Sequence, residues 1–148
     1  MAKRKNQQWA NRIVSVGEVD PTTLLSNPAN WRIHPDNQRE ALRGSLDRVG
    51  WVERVMVNQR TGFVIDGHLR VAMAIAKKQQ AIPVSYVDLT PDEEAFVLAT
   101  LDPIAALAET DSEMLRALAE AVDTLKDPVK RKLYARLGHG EYVATLKD

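Results

Sequence analysis

The chain has 148 residues, 45% hydrophobic and 27% charged, and its 20 basic and 20 acidic residues cancel. That length suits one compact domain with short tails and a real core, and zero net charge excludes a global field drawing the protein onto nucleic acid. No apolar run approaches a membrane span, no secretory pattern opens the chain, and the lack of cysteine excludes disulfides, thiolate metal sites and cysteine nucleophiles; a cytoplasmic protein is expected.

Charge is unevenly spread. Residues 1–12 carry Lys3, Arg4, Lys5 and Arg12 and no acid. Without those four, 16 basic residues face 20 acidic ones, so the body is mildly acidic. Such an arm is either a DNA-touching tail, with Lys3, Arg4 and Lys5 on backbone phosphate, or a solvated terminus.

Ile13–Val16 reads as a first strand by its β-branched content. Residues 20–37 hold Pro21, Pro28 and Pro35 among Asn27, Asn30 and Asn37, a long loop of the kind that often carries function. Leu24 and Leu25 suit a short helical turn within it. From Gln38 to Val49, Ala41, Leu42, Leu46 and Val49 share one helical face, and Gly50 suits its C-terminal stop. Val55–Val57 and Phe63–Ile65 are expected strands of a hairpin closed by five residues ending in Gly62. An Ala-rich helix over 67–79 follows, then a strand over Ile82–Val87, placed at a sheet edge by Pro83. Thr90, Pro91 and Glu93 form a capping box with proline in the first turn. That helix is expected to stop near Leu101, before Pro103. Further helices are predicted over 111–125 and 129–137. The order gives an α+β class: a small mixed sheet with helices, then a helical C-terminal half.

The chemistry concentrates at Asp66-Gly67-His68-Leu69-Arg70. A strand runs straight into a helix start, where backbone N–H groups lack intrahelical acceptors and the dipole is positive. Together these favour an anion. Gly67 permits an unusual φ and close approach. Arg70, one turn on, can reach the same anion bidentately. His68 can donate to a phosphate oxygen or move a proton. Asp66 is either a second acid/base group or simply the helix cap. His34, beside Arg32, is a further candidate phosphate contact, and Trp31 and Trp51 either stack on a base or pack the loop.

Over Val14–Leu107 the chain resembles the ParB N-terminal-like family of the ParB/sulfiredoxin superfamily. The resemblance rests on an ordered set: Leu25 with Asn27, Pro28, Asn30, Trp31 and Arg32; the helix 42–50; Gly50-Trp51-Val52 leading into Val55–Val57; Asp66-Gly67-His68-x-Arg70; Ile82-Pro83-Val84; and Thr90-Pro91-Asp92-Glu93-Glu94. It is most similar to the small phage and mobile-element members known as ParB-like nucleases, and to ParB domains joined to DNA methyltransferases. The expected divisions are a basic arm (1–12), the ParB-like domain (13–107) and a helical extension (108–148).

The resemblance implies a Gly-x-x-Arg turn holding nucleotide phosphates, with CTP or ATP and Mg2+ as the expected cofactors, DNA as a partner and CTPase- or ATPase-like hydrolysis as a candidate activity. Gly67 and Arg70 match the glycine and arginine of that turn, and Arg32 matches an upstream phosphate-facing arginine. The departures are specific. His68, Leu69 and Ala72 stand where segregation members carry acidic and extra basic residues. Ala99–Pro103 replaces a later Glu-Asn-x-x-Arg box and has no arginine. Each missing charge-assisted contact removes about 1.5–3 kcal/mol of net binding. The cysteine that sulfiredoxins place beside the glycine is His68 here, which excludes cysteine-dependent reduction. No helix-turn-helix module is apparent, and the C-terminal helices read as packing or self-association surface. Three functions remain: a nucleotide-binding or nucleotide-hydrolysing domain, a DNA nuclease or modification accessory, and a non-catalytic DNA-binding or scaffold module. A metal-dependent nuclease generally needs clustered carboxylates, and only Asp66 lies at the turn.

Overall fold

The computed structural model describes residues 8–123 together with Pro128. Four strands, β1 (Ile13–Val19), β2 (Val55–Asn58), β3 (Val64–Asp66) and β4 (Ile82–Val87), form one mixed sheet in the order β1-β4-β2-β3. A 3-10 turn over Pro21–Thr23 follows β1. The α-helices among the described residues are α1 (Asp36–Arg48), α2 (His68–Ala76), α3 (Pro91–Ala106) and α4 (Ser112–Asp123). This is the expected α+β class. The expected helix over 129–137, and the basic residues Lys3, Arg4 and Lys5, lie outside the described residues.

The described residues fall into two compact units built from interleaved segments, those up to 29 with 54–98 and residues 30–53 with those from 99 on. The first holds the whole sheet and α2. Its strands are rich in β-branched residues, and Val55, Val57, Val64, Ile65, Ile82 and Val84 are all buried. Ile65, Val87, Leu89 and Leu98 form a core cluster, with Met56 and Val97 packed against it. β2 and β3 make the expected antiparallel hairpin. Gly62, at φ +74°, closes it by donating its N–H to Asn58 O at 2.8 Å. β2 then pairs with β4 in parallel, a connection that needs a crossover, which β3 and α2 supply.

The edge position expected for β4 is wrong: it lies between β1 and β2. Pro83 is tolerated there because the parallel ladder begins only at Val55↔Val84, while Pro83 faces Glu18 of β1. Proline's missing N–H therefore falls outside the β2 ladder. The predicted stop before Pro103 is also overturned, since α3 continues to Ala106. Pro103 falls in the last turn, on an exposed stretch, so the one forfeited interior bond can be replaced by water. Leu107 N–H and Ala108 N–H then close on Ile104 O and Ala105 O in tight i→i−3 bonds.

The start of α3 is fastened twice. Thr90 N–H donates to Glu93 Oε1 (3.0 Å) and Glu93 N–H to Thr90 Oγ1 (3.3 Å), the predicted capping box. Glu93 also accepts two bonds from the Arg12 guanidinium, at 2.5 and 2.7 Å, while Arg12 Nε donates to Asp88 O at 3.0 Å. Arg12, counted with the basic arm in the sequence, is thus anchored to the body. Arg60 holds Asp88 in turn, at 2.6 and 3.2 Å.

Beneath these surface pairs lies a buried polar network. Asn58, fully buried, donates from Nδ2 to Leu89 O (3.0 Å) and Glu94 Oε1 (3.1 Å). Its Oδ1 accepts from Leu89 N–H at 3.2 Å. The same Glu94 oxygen accepts from Thr61 Oγ1 at 2.6 Å. Two donors thus converge on one buried Glu94 oxygen and satisfy it away from water.

Candidate functional site

The strand-to-helix turn has the backbone expected of an anion site. Asp66 is the last residue of β3 and lies opposite Met56. Gly67 takes the N-cap position of α2 at φ +102° and ψ +19°, with no side-chain cap bond. The cap position itself is thus held by a residue without a side chain, one place after Asp66. A Cβ on Gly67 would lie 3.1 Å from Val55 Cγ2 and 3.4 Å from Val55 Cα. Glycine is required both by the left-handed backbone and by close packing on β2. Val71 N–H is the first to bond back, to Gly67 O at 3.0 Å, so the N–H groups at positions 68–70 have no acceptor within the helix. Arg70 sits in that first turn and is half-buried.

The upstream loop is brought to this turn by strand-like pairing. Leu25 makes a parallel bridge with Phe63, and Val64 N–H donates to Leu25 O at 2.9 Å. Two residues further on, Asn27 N–H donates to His68 Nε2 at 3.1 Å. Asn27 is buried, and its Oδ1 accepts from Ala29 N–H at 3.0 Å. Asn27 is the site residue whose role the sequence hid. The Asn-Pro pair was visible, but its partner lies 41 positions away.

The first unit thus joins Asp66, Gly67, His68, Arg70 and Asn27. Arg32 and His34 belong to the second unit. There Arg32 Nε lies 2.6 Å from Asp102 Oδ2, with the Arg32 side chain largely covered and the Asp102 side chain half-exposed. Asp102 comes from the stretch in which the sequence showed a missing arginine, and it supplies the opposite charge. His34 Nδ1 is 2.9 Å from Gln38 Oε1, and Arg39 Nε reaches His34 O at 3.4 Å. Trp31 is exposed and Trp51 half-buried.

Among the described residues no three of His, Asp and Glu cluster as metal ligands. Mg2+ carried by a nucleotide needs no such cage, because it keeps several waters and binds phosphates with one or two carboxylates. Asp66 is the carboxylate on the turn that fits this requirement. No described helix is long and apolar enough to cross a membrane.

Comparison with solved structures concerns the fold. A C-terminally truncated chromosome-partitioning protein ParB from Caulobacter crescentus, complexed with CTP-gamma-S, superposes with a TM-score of 0.62 at 16% identity, over 90% of this chain and 77% of that one. The fold is that of a ParB N-terminal domain. A Pnob8-like ParB-N domain agrees, with a TM-score of 0.51 at 15% identity, over 88% of this chain and 48% of that one. No protein-family model matches the sequence, and no curated protein matches it. The ParB-like fold expected from the ordered motifs is thus present in a chain whose sequence has diverged far from both structures.

Proposed function

We propose that the Asp66–Arg70 turn binds phosphate groups of a nucleotide, in a protein of DNA metabolism, partition or modification encoded by a phage or mobile element. The observation that carries this reading is Gly67: left-handed at φ +102° at the start of α2 and packed on Val55. Arg70 supplies the charge in the first turn. Asp66 and His68 are the groups on the turn able to move a proton should hydrolysis follow binding, and Asp66 is a candidate contact for phosphate-bound Mg2+. Arg32 is proposed as a phosphate contact that exchanges Asp102 for its ligand, with His34 beside it. Because the superposed Caulobacter protein is complexed with CTP-gamma-S, CTP is the first nucleotide to test and ATP the second.

Thermal unfolding with CTP, ATP or GTP and Mg2+ provides the test. A ligand present at about 100 times its Kd adds roughly 2.7 kcal/mol of stability, so a true ligand raises Tm by several degrees. Arg70→Ala should abolish the rise, measured against that variant's own unliganded Tm. No rise with any nucleotide would remove the nucleotide reading. DNA backbone phosphate offers the same chemistry, with Lys3, Arg4 and Lys5 as added contacts. In that case affinity should fall steeply with salt, and trimming residues 1–7 should flatten the slope while sparing Arg12. Self-association through the C-terminal helices is proposed as well, since α4 exposes Met114 and Leu118.

A further inference from the structure

The sequence pattern makes His68 a phosphate donor or proton carrier, yet its Nε2 faces a backbone N–H. Asn27 N lies 3.1 Å from that ring nitrogen, and a backbone N–H can only donate. Nε2 must therefore present its lone pair, and the proton of the neutral ring sits on Nδ1. The donor is itself firmly held. Asn27 is only 5% exposed, its side chain closes the turn onto Ala29 N–H at 3.0 Å, and Leu25 is bridged to Phe63 just before it. The imidazole thus fastens the 25–29 segment to the first residue of α2, directly after Gly67.

We infer that His68 is a positioning residue: as the Nδ1–H tautomer it accepts the Asn27 N–H and keeps the upstream loop seated against the phosphate-binding turn. Nε2 is committed to that bond and does not serve in proton transfer. The tautomer and the loop contact stand on geometry alone. Their effect on ligand affinity rests on the phosphate reading of the turn.

Three substitutions separate this role from acid/base chemistry. In His68→Gln the side-chain oxygen reaches about as far as Nε2 and can accept the same bond. In His68→Asn the carbonyl is too short, and in His68→Ala it is absent. None of the three can titrate. Long-range nitrogen–proton correlation on the wild-type full chain should show the Nδ1–H tautomer, and an Nε2–H ring would overturn the inference without recourse to any variant. Hydrogen exchange at the Asn27 amide should be slow in wild type, within about threefold of that in His68→Gln, and at least tenfold faster in His68→Ala and His68→Asn. Equal acceleration in all three would also overturn it. Titration with CTP and Mg2+ should follow the same order, with His68→Gln near wild type. If wild type binds no nucleotide, the phosphate reading fails, while the tautomer and the exchange rates still decide the role of His68.

Discussion

At the scale of single residues, Gly67 and Arg32 make opposite demands. Gly67→Ala forces a Cβ into a left-handed position, at roughly 1–2 kcal/mol, and against Val55 at 3.1 Å, where overpacking adds about 1–3 kcal/mol. A loss of about 2–5 kcal/mol is expected in urea unfolding, accompanied by loss of any nucleotide-induced rise in Tm. Arg32, by contrast, has a counter-charge that is only half covered, Asp102. Asp102→Asn keeps an oxygen acceptor but strips the counter-charge from a largely covered guanidinium, so a stability loss of about 1–3 kcal/mol is expected. It should tighten CTP binding several-fold if the carboxylate competes with phosphate. Unchanged affinity would take Arg32 off the list of phosphate contacts.

At the scale of elements, the hairpin and the start of α3 depend on Asn58. Asn58→Ala strips both bonds to Leu89 and one of the two side-chain donors on Glu94. Leaving buried groups unsatisfied costs about 1–3 kcal/mol each, so a total loss of about 2–4 kcal/mol is expected by chemical denaturation. Asn58→Asp should be worse, because it sets a second carboxylate against Glu94. Local patterns in the sequence announced the elements themselves: the Thr90–Glu93 capping box, the glycine closing the hairpin and the bounds of β4 all follow from neighbours within a few positions. What stayed hidden was long-range. Pro83 signals an edge only when the strand pairs along its whole length on both sides, and the late start of the β2 ladder lies beyond local sequence. Pro103 signals a stop only where water cannot reach the orphaned carbonyl. The site divides in the same way. Gly67 and Arg70 could be read from the motif, whereas Asn27 meeting His68, and Asp102 meeting Arg32, depend on tertiary pairing.

At the scale of the whole molecule, acid is the condition to which the ion pairs respond. Hydrogen bonds from the Arg12 guanidinium, followed by the Thr90 backbone, hold the Glu93 carboxyl down from its ordinary 4.5 to about 2. Asp88 is lowered as well, chiefly by its hydrogen bonds from Arg60. A carboxylate whose pKa is lower folded than unfolded adds stability that is fully present above its unfolded pKa and disappears as pH falls through its folded pKa. The stability of this protein should therefore decline between about pH 4.5 and 2. Glu93→Gln should flatten that decline when urea midpoints are followed across the range. An unchanged slope would mean that these surface pairs are too well solvated to matter.

The placement of β4 between β1 and β2 bears on how the chain is made. Among the described residues β1 pairs only with β4, Ile13 opposite Val87, so this pairing must wait for roughly seventy further residues to be synthesised. At about 5–20 residues per second that interval is several seconds. Throughout it, a segment carrying Ile13, Val14 and Val16 has no partner strand, and all three remain exposed even after folding. Such a stretch is what holding chaperones capture and what neighbouring chains recruit into aggregates. Recovery of folded protein on expression should accordingly be limited by this first strand rather than by the phosphate-binding turn.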